Sequence, residues 1–151
     1  MNRKEIIEQL KEYFSIDELV CNHTFAKFGE KSWQFLQTEL LHTLLIVRKE
    51  IINLPMNVNY AGKNQRGLRC NICDLVKEKT KKNQIYLSAH VNGAAVDFNA
   101  NGLTAEQCRD LIRNNSDLLP YPIRLEKAVS WVHIDVYDDY SNDSKIVEFE
   151  G

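Results

Sequence analysis

Ile6, Ile7, Leu10 and Phe14 recur at helical spacing, which predicts an amphipathic helix over residues 2–14. Ser15 followed by Glu18 has capping-box spacing and restarts a short helix. The longest periodic segment is residues 31–53. Its stripe of Trp33, Leu36, Leu40, Leu41, Leu44, Val47 and Ile51 marks a helix packed on a core, and Pro55 ends it. His42 lies within it as an ordinary polar helix position. Beyond Pro55 the period drops to two. Residues 56–60 alternate like a strand, and a Gly-containing loop follows through Gly67. Residues 73–82 are expected to form a short helix, 84–87 to begin a strand, 88–93 to turn irregularly and 94–99 to run extended. Thr104 caps a helix over residues 104–118, with Glu106 in its first turn. Strands at 123–127 and 130–137 close the pattern. Helices first, then helices mixed with strands, predict an α+β fold: N-terminal helices on a small antiparallel sheet, in one domain over residues 1–151.

Composition narrows the function classes. At 151 residues, a single domain buries about 68–70% of its unfolded surface, and 44% apolar residues suffice for a core. Six Gly and three Pro argue against linkers and extended disorder. No apolar run approaches the roughly 20 residues of a membrane span. With 19 basic and 21 acidic residues the net charge is −2, which excludes nucleic-acid binding by phosphate neutralisation. The charged start, Met1 to Leu10, lacks the apolar stretch of a signal peptide, so synthesis in the cytoplasm without one is expected. Four cysteines are too few for a disulfide scaffold, and reduced thiols are expected.

Two of the four histidines stand in unusual surroundings. In the last strand Val132, Ile134 and Val136 point one way, while Trp131, His133 and Asp135 point the other. A hairpin with Ala128 and Val129 at its tip pairs Glu126 with Trp131 and Arg124 with His133. Glu126 then lies diagonal to His133, placed as a general base, or paired with Arg124 in a cross-strand salt bridge. In the strand before, Val96 and Phe98 are apolar and Asp97 faces the other side. Gly93 separates it from His90 by a permissive turn. His90, Asp97 and His133, from separate elements, make a three-ligand zinc set with a fourth position open, the catalytic rather than the closed type. The alternative is a buried hydrogen-bond network.

These residues carry a resemblance. Ser88-x-His90-x6-Asp97, with Gly93 and Ala95 between, followed by Trp131-Val132-His133, is similar to the zinc D-alanyl-D-alanine carboxypeptidases and L-alanyl-D-glutamate endopeptidases. That family includes many phage endolysins and shares its fold with the hedgehog signalling domain. Gly67-Leu68-Arg69-Cys70 looks like its Gly-x-Arg stretch, and the likeness spans residues 14–137. The resemblance implies Zn2+ on His90, Asp97 and His133, with Ser88 touching substrate beside the metal. Arg69 would hold a substrate carboxylate, with Arg66 as its rival, and Trp131 is a substrate platform or packing. Many members place the catalytic glutamate three residues before the second histidine, where this chain has Ser130. Others supply it from the adjoining strand, which fits Glu126; Asp135 is the alternative base. The implied activity is cleavage of peptidoglycan stem peptides, of D,D-carboxypeptidase or L,D-endopeptidase type. The implied protein is a monomer, released to the cell wall during lysis. If neither carboxylate reaches the metal, the implied protein is a non-catalytic metal-containing binding module of the same fold.

Two further features stand apart. Cys70 and Cys73 have C-x-x-C spacing, and Cys21 with His23 would complete a second tetrahedral zinc set; a redox pair and free buried thiols are the other readings, the last being the expectation. Residues 77–82 carry four lysines, a solvated helix face or a contact for anionic cell-wall polymer.

Overall fold

The Asn2 side chain accepts from the Glu5 N–H at 3.0 Å, and the Glu5 carboxylate accepts from the Asn2 N–H at 2.8 Å. This reciprocal cap starts helix α1, Arg3–Leu10. Ser15 and Glu18 repeat the device for a 3-10 turn, Ile16–Glu18. The computed structural model describes residues 1–151 and is mixed α and β, with five α-helices and one five-stranded sheet.

Helix α2, Asn22–Phe28, had no counterpart in the expected elements. Its one buried residue is Thr24, so it carries no apolar stripe to detect. The single helix expected over 31–53 is three pieces: a 3-10 turn Gly29–Phe35, helix α3 at Thr38–Ile46, and a π turn Val47–Ile52. The break falls at Leu36, which is extended with ψ 134°. Its cause is tertiary. The Gln37 N–H donates to the Gly93 carbonyl at 2.9 Å and the Gln37 side-chain amide to the Asn92 carbonyl at 3.0 Å, so this backbone pairs with the 88–93 turn instead of its own helix.

Helix α4, Asp74–Lys81, and helix α5, Ala105–Asn114, the latter capped by Thr104, lie where expected. The strands are β1 (Met56–Asn57), β2 (Ala95–Ala100), β3 (Ile123–Glu126), β4 (Val132–Asp135) and β5 (Ile146–Phe149), in the order β1-β2-β4-β3-β5. The sheet is mixed rather than antiparallel, because β5 pairs parallel with β3. The strand expected at 84–87 does not form. Ile85 and Leu87 are 89% and 69% exposed, with no neighbouring strand to pair with.

One sheet face, including Val96, Phe98, Leu125, Val132 and Ile134, joins the helices in a core cluster of 28 buried residues. The alternation expected for these strands therefore places Asp97, His133 and Asp135 on the opposite face. The segment between β1 and β2 folds against that face, where the Arg66 carbonyl accepts from the Asp97 N–H at 2.7 Å.

Candidate metal centre

Strand pairing sets Asp97 of β2 directly opposite His133 of β4. The β3–β4 register is Arg124 opposite Asp135 and Leu125 opposite Ile134, two residues away from the expected hairpin. A two-residue slip keeps every side chain on its face. It moves Arg124 from His133 to Asp135 and, one pair further along the same register, brings Glu126 across from His133.

His90 arrives from the 88–93 turn. Ser88 Oγ accepts from the His90 N–H at 3.2 Å, and Gly93 turns the chain at φ 66° where a side chain would collide with the Phe35 carbonyl. His90 Nδ1 lies 2.8 Å from the Gly67 carbonyl. A carbonyl only accepts, so Nδ1 donates to it, and Nε2 lies on the other side of the ring, 3.3 Å from Asp97 Oδ2.

His133 is held from both sides. Nε2 meets Asp135 Oδ2 at 2.7 Å and Nδ1 meets Asp97 Oδ1 at 2.7 Å. Asp135 is fully buried and gripped by the Arg124 fork at 2.8 and 2.9 Å. Burial works against a charged imidazole, but the hydrogen bonds to Asp135 and Asp97 outweigh it and raise the His133 pKa to about 9. The Asp97 carboxyl, opposed by its burial, is nevertheless held well below the usual range by hydrogen bonds from His133 and His90.

The arrangement fits a cation. One donor atom from each of His90, Asp97 and His133 lies within 4.8 Å of the others, while His90 Nδ1 is tied to a carbonyl and His133 Nε2 to a carboxylate. That is the support a metal-bound histidine needs to fix tautomer and ring angle. Nitrogen and oxygen donors bound tetrahedrally at about 2.0–2.1 Å stand about 3.3–3.4 Å apart, close to the His90–Asp97 separation of 3.3 Å. The shorter His133–Asp97 contact is the proton bridge that a cation would replace.

A pH dependence follows. His133 is raised from its ordinary 6.5 in the folded, metal-free chain, so its ion pairs stabilise fully below pH 6.5 and are lost as pH rises through about 9. In chelator-treated protein, the stability advantage of wild type over His133→Gln is expected to shrink across that window, by on the order of 3 kcal/mol. Urea unfolding of both proteins at several pH values measures it. A constant difference would remove the charged His133 from the account.

The other anticipated residues divide. Asp135 is not a free base, since His133 and Arg124 occupy both its oxygens. Ser88 is a turn cap and is absent from the lining of the adjacent cleft. That cleft, of about 550 Å3, includes Tyr60, Arg66, Arg69, Asp97, Asn99 and Trp131 in its walls. Asp97 is the member of the triad that reaches it; His90 and His133 are 4% and 7% exposed behind. Arg69 donates to the Gln65 carbonyl at 2.7 Å and the Tyr86 hydroxyl at 3.0 Å, with Nη2 3.8 Å from Asp97. Arg66 donates through Nη2 to Asn99 at 2.6 Å, and its buried Nη1 has no partner. Glu126 stands outside the converging set, its carboxylate against the terminal Gly151.

Asn99, Tyr86 and the Gly67 carbonyl escaped sequence reasoning. Asn99 shares the Asp97 face of β2, so alternation could have found it. Nothing local marks the other two.

A second set of donors lies beyond Arg69. Cys21, His23, Cys70 and Cys73 each place one donor atom within 4.8 Å of the others, and all four cysteines of the chain are unbridged. Burial raises the Cys21 thiol, but hydrogen bonds led by the Thr24 hydroxyl bring it down to about 6; burial, then neighbouring Cys21, pushes Cys73 up.

Comparison of the chain with family models, curated proteins and solved structures finds no match in any of the three. No helix is long and apolar enough to cross a membrane.

Proposed function

We propose that this chain is a zinc-dependent peptidase acting on the stem peptides of bacterial peptidoglycan, as a D,D-carboxypeptidase or L,D-endopeptidase with the hedgehog/DD-peptidase fold. The observation that carries the reading is the meeting of two features in one cleft. Three donors oriented from behind present Asp97 to it, and the buried Arg66 Nη1 lacks a partner in its wall. A guanidinium nitrogen left unsatisfied on burial is unfavourable unless a ligand supplies the acceptor, and a carboxylate matches its fork.

His90, Asp97 and His133 would hold the zinc, with Arg124 and Asp135 keeping the His133 ring in place. A bound zinc supplies Lewis acidity and a water of lowered pKa. Arg66, assisted by Arg69, binds the carboxylate beyond the scissile bond, and Trp131 gives the peptide an apolar wall. Glu126, across the strand pair from His133, would take a proton from the attacking water and return it to the leaving amine once its carboxylate turned from Gly151 toward the centre.

The test is incubation of zinc-supplemented protein with purified peptidoglycan, scoring new amine termini. Hydrolysis is expected, with Glu126→Gln slower by about 10²–10⁴-fold. Unchanged turnover by that variant removes Glu126 from its role, and absence of zinc at His90 after supplementation sinks the peptidase.

A specific observation favours the second reading, a metal-containing module that binds peptide termini without cleaving them. Glu126 abuts Gly151, Phe149 packs edge-on against the His133 ring at 5.7 Å, and Asp135 is fully engaged. That reading predicts zinc-dependent retention of stem peptide with no new termini.

A further inference from the structure

We infer that Cys21, His23, Cys70 and Cys73 form a second zinc site, closed and structural, which staples the chain that carries Arg69 to the N-terminal helices. The inference does not rest on the peptidase reading.

The spacing of the donors is that of a tetrahedron. Metal–sulfur bonds of about 2.3 Å and a metal–nitrogen bond of about 2.0–2.1 Å give sulfur–sulfur edges of about 3.8 Å and sulfur–nitrogen edges of about 3.5–3.6 Å. The Cys70–Cys73 sulfurs are 3.8 Å apart, and His23 Nδ1 lies 3.5 Å from Cys70 Sγ and 3.7 Å from Cys73 Sγ. Cys21 completes the set, with every donor within 4.8 Å of the rest. Three sulfurs and an imidazole leave no position for water or substrate, and thiolate-rich, four-coordinate ligation is the structural zinc pattern. A Cys70–Cys73 disulfide explains less. Its sulfurs stand at nearly twice the bond length of about 2.05 Å, and it assigns nothing to Cys21 or His23.

Around the four donors themselves apolar packing is thin, although Val58 and Leu68 of the same segment reach the main core. Between β1 and β2, helix α4 is the one regular helix or strand, and Val76 is its sole buried residue. The apolar cluster there has three buried members, Cys21, Cys73 and Val76, separate from the main core. So small a cluster gives little burial to offset the entropy of ordering the 37 residues of 58–94, the situation in which small folds use a metal.

The site also sits at the end of a ladder leading to the first centre. Leu68 donates to the Leu19 carbonyl at 2.9 Å, Cys21 donates to the Leu68 carbonyl at 2.9 Å, and Arg69 donates to the His90 carbonyl at 3.1 Å. A cation on Cys21 and Cys70 fixes both ends of this crossing. Gly67, whose carbonyl holds His90 Nδ1, and Arg69 are placed by it.

Metal content by mass spectrometry, on protein purified with reductant and supplemented with zinc, tests the inference. The wild type is expected to hold two equivalents. A His90→Ala/His133→Ala variant, which lacks the first centre, should keep one. Cobalt added to that variant should give the near-ultraviolet thiolate-to-metal charge-transfer band, and Cys70→Ser/Cys73→Ser in the same background should abolish both metal and band. Because the reporter variant has no first centre, failure of the peptidase reading leaves this result unchanged. A histidine variant that binds no metal, a cobalt complex without the thiolate band, or a Cys70–Cys73 disulfide in the reduced preparation overturns the site.

Discussion

Asp97→Ala is expected to leave the His90–His133 pair without metal and, on the peptidase reading proposed above, to abolish hydrolysis of peptidoglycan. Asp97 is the one group that touches both imidazoles, at 2.7 Å to His133 Nδ1 and 3.3 Å to His90 Nε2. It is also the only anionic donor of the three. Without it the remaining ligands are two neutral nitrogens on rings that are nearly buried, with Arg69 3.8 Å from the vacated carboxylate and now unopposed. The fold should survive, because His133 keeps Asp135, and the lost hydrogen bonds amount to about 1–3 kcal/mol. The measurement pairs zinc content with thermal melting at increasing free zinc. Binding to the native state raises stability by RT ln(1 + c/Kd), with c the free zinc concentration, so the melting temperature climbs with free zinc only if the site binds it. The first-centre part of that rise should vanish in Asp97→Ala, and a variant that still loads His90 and His133 with zinc refutes the assignment.

The second large effect is expected at Gly67, by a steric route. A methyl group there would lie well inside contact distance of the Leu19 carbonyl, a backbone atom already accepting from Leu68. No rotamer change can relieve a clash between two backbones. Gly67→Ala should therefore fall at or beyond the upper end of the usual 1–3 kcal/mol for overpacking, about 3 kcal/mol, lowering the melting temperature by on the order of 10 °C. Moving residue 67 also withdraws the carbonyl that orients His90. Zinc affinity at the first centre should drop about 10–100-fold, the usual effect of losing a group that supports a ligand. Gly62→Ala is the control. Its Cβ would meet open space at φ 80°, so only backbone strain of about 1 kcal/mol is expected and zinc affinity should be unchanged. Equal zinc affinity in Gly67→Ala and wild type would separate the Gly67 carbonyl from the metal centre.

Where the reading from sequence stopped short, a distant contact decided the matter. The β3–β4 register was misplaced by two because the connection is longer than a two-residue turn. Ala128 takes a left-handed φ of 65°, and buried Arg109 of α5 donates to the Val129 and Trp131 carbonyls at 3.0 and 2.9 Å. An arginine some twenty residues upstream leaves no mark on the hairpin's own pattern. The helix expected over 31–53 breaks because Gln37 finds Gly93. The strand expected at 84–87 has suitable residues and no partner. Strand β5 was missed because its four residues are half-buried or exposed and alternate weakly.

Local chemistry, by contrast, was legible. The capping box at Ser15–Glu18 and the Thr104 cap of α5 depend on side chains within a few residues of one another. The two-residue period of β2 and β4 committed Val96, Phe98, Val132 and Ile134 to one face and Asp97 and His133 to the other, whatever the register. So the sequence by itself determined which side chains share the polar face, since alternation is a property of the single strand. Tertiary structure alone decided which ring nitrogen of each histidine looks inward. That choice belongs to the Gly67 carbonyl and the Asp135–Arg124 pair, and to the 2.8 and 2.7 Å hydrogen bonds by which they claim the opposite nitrogens.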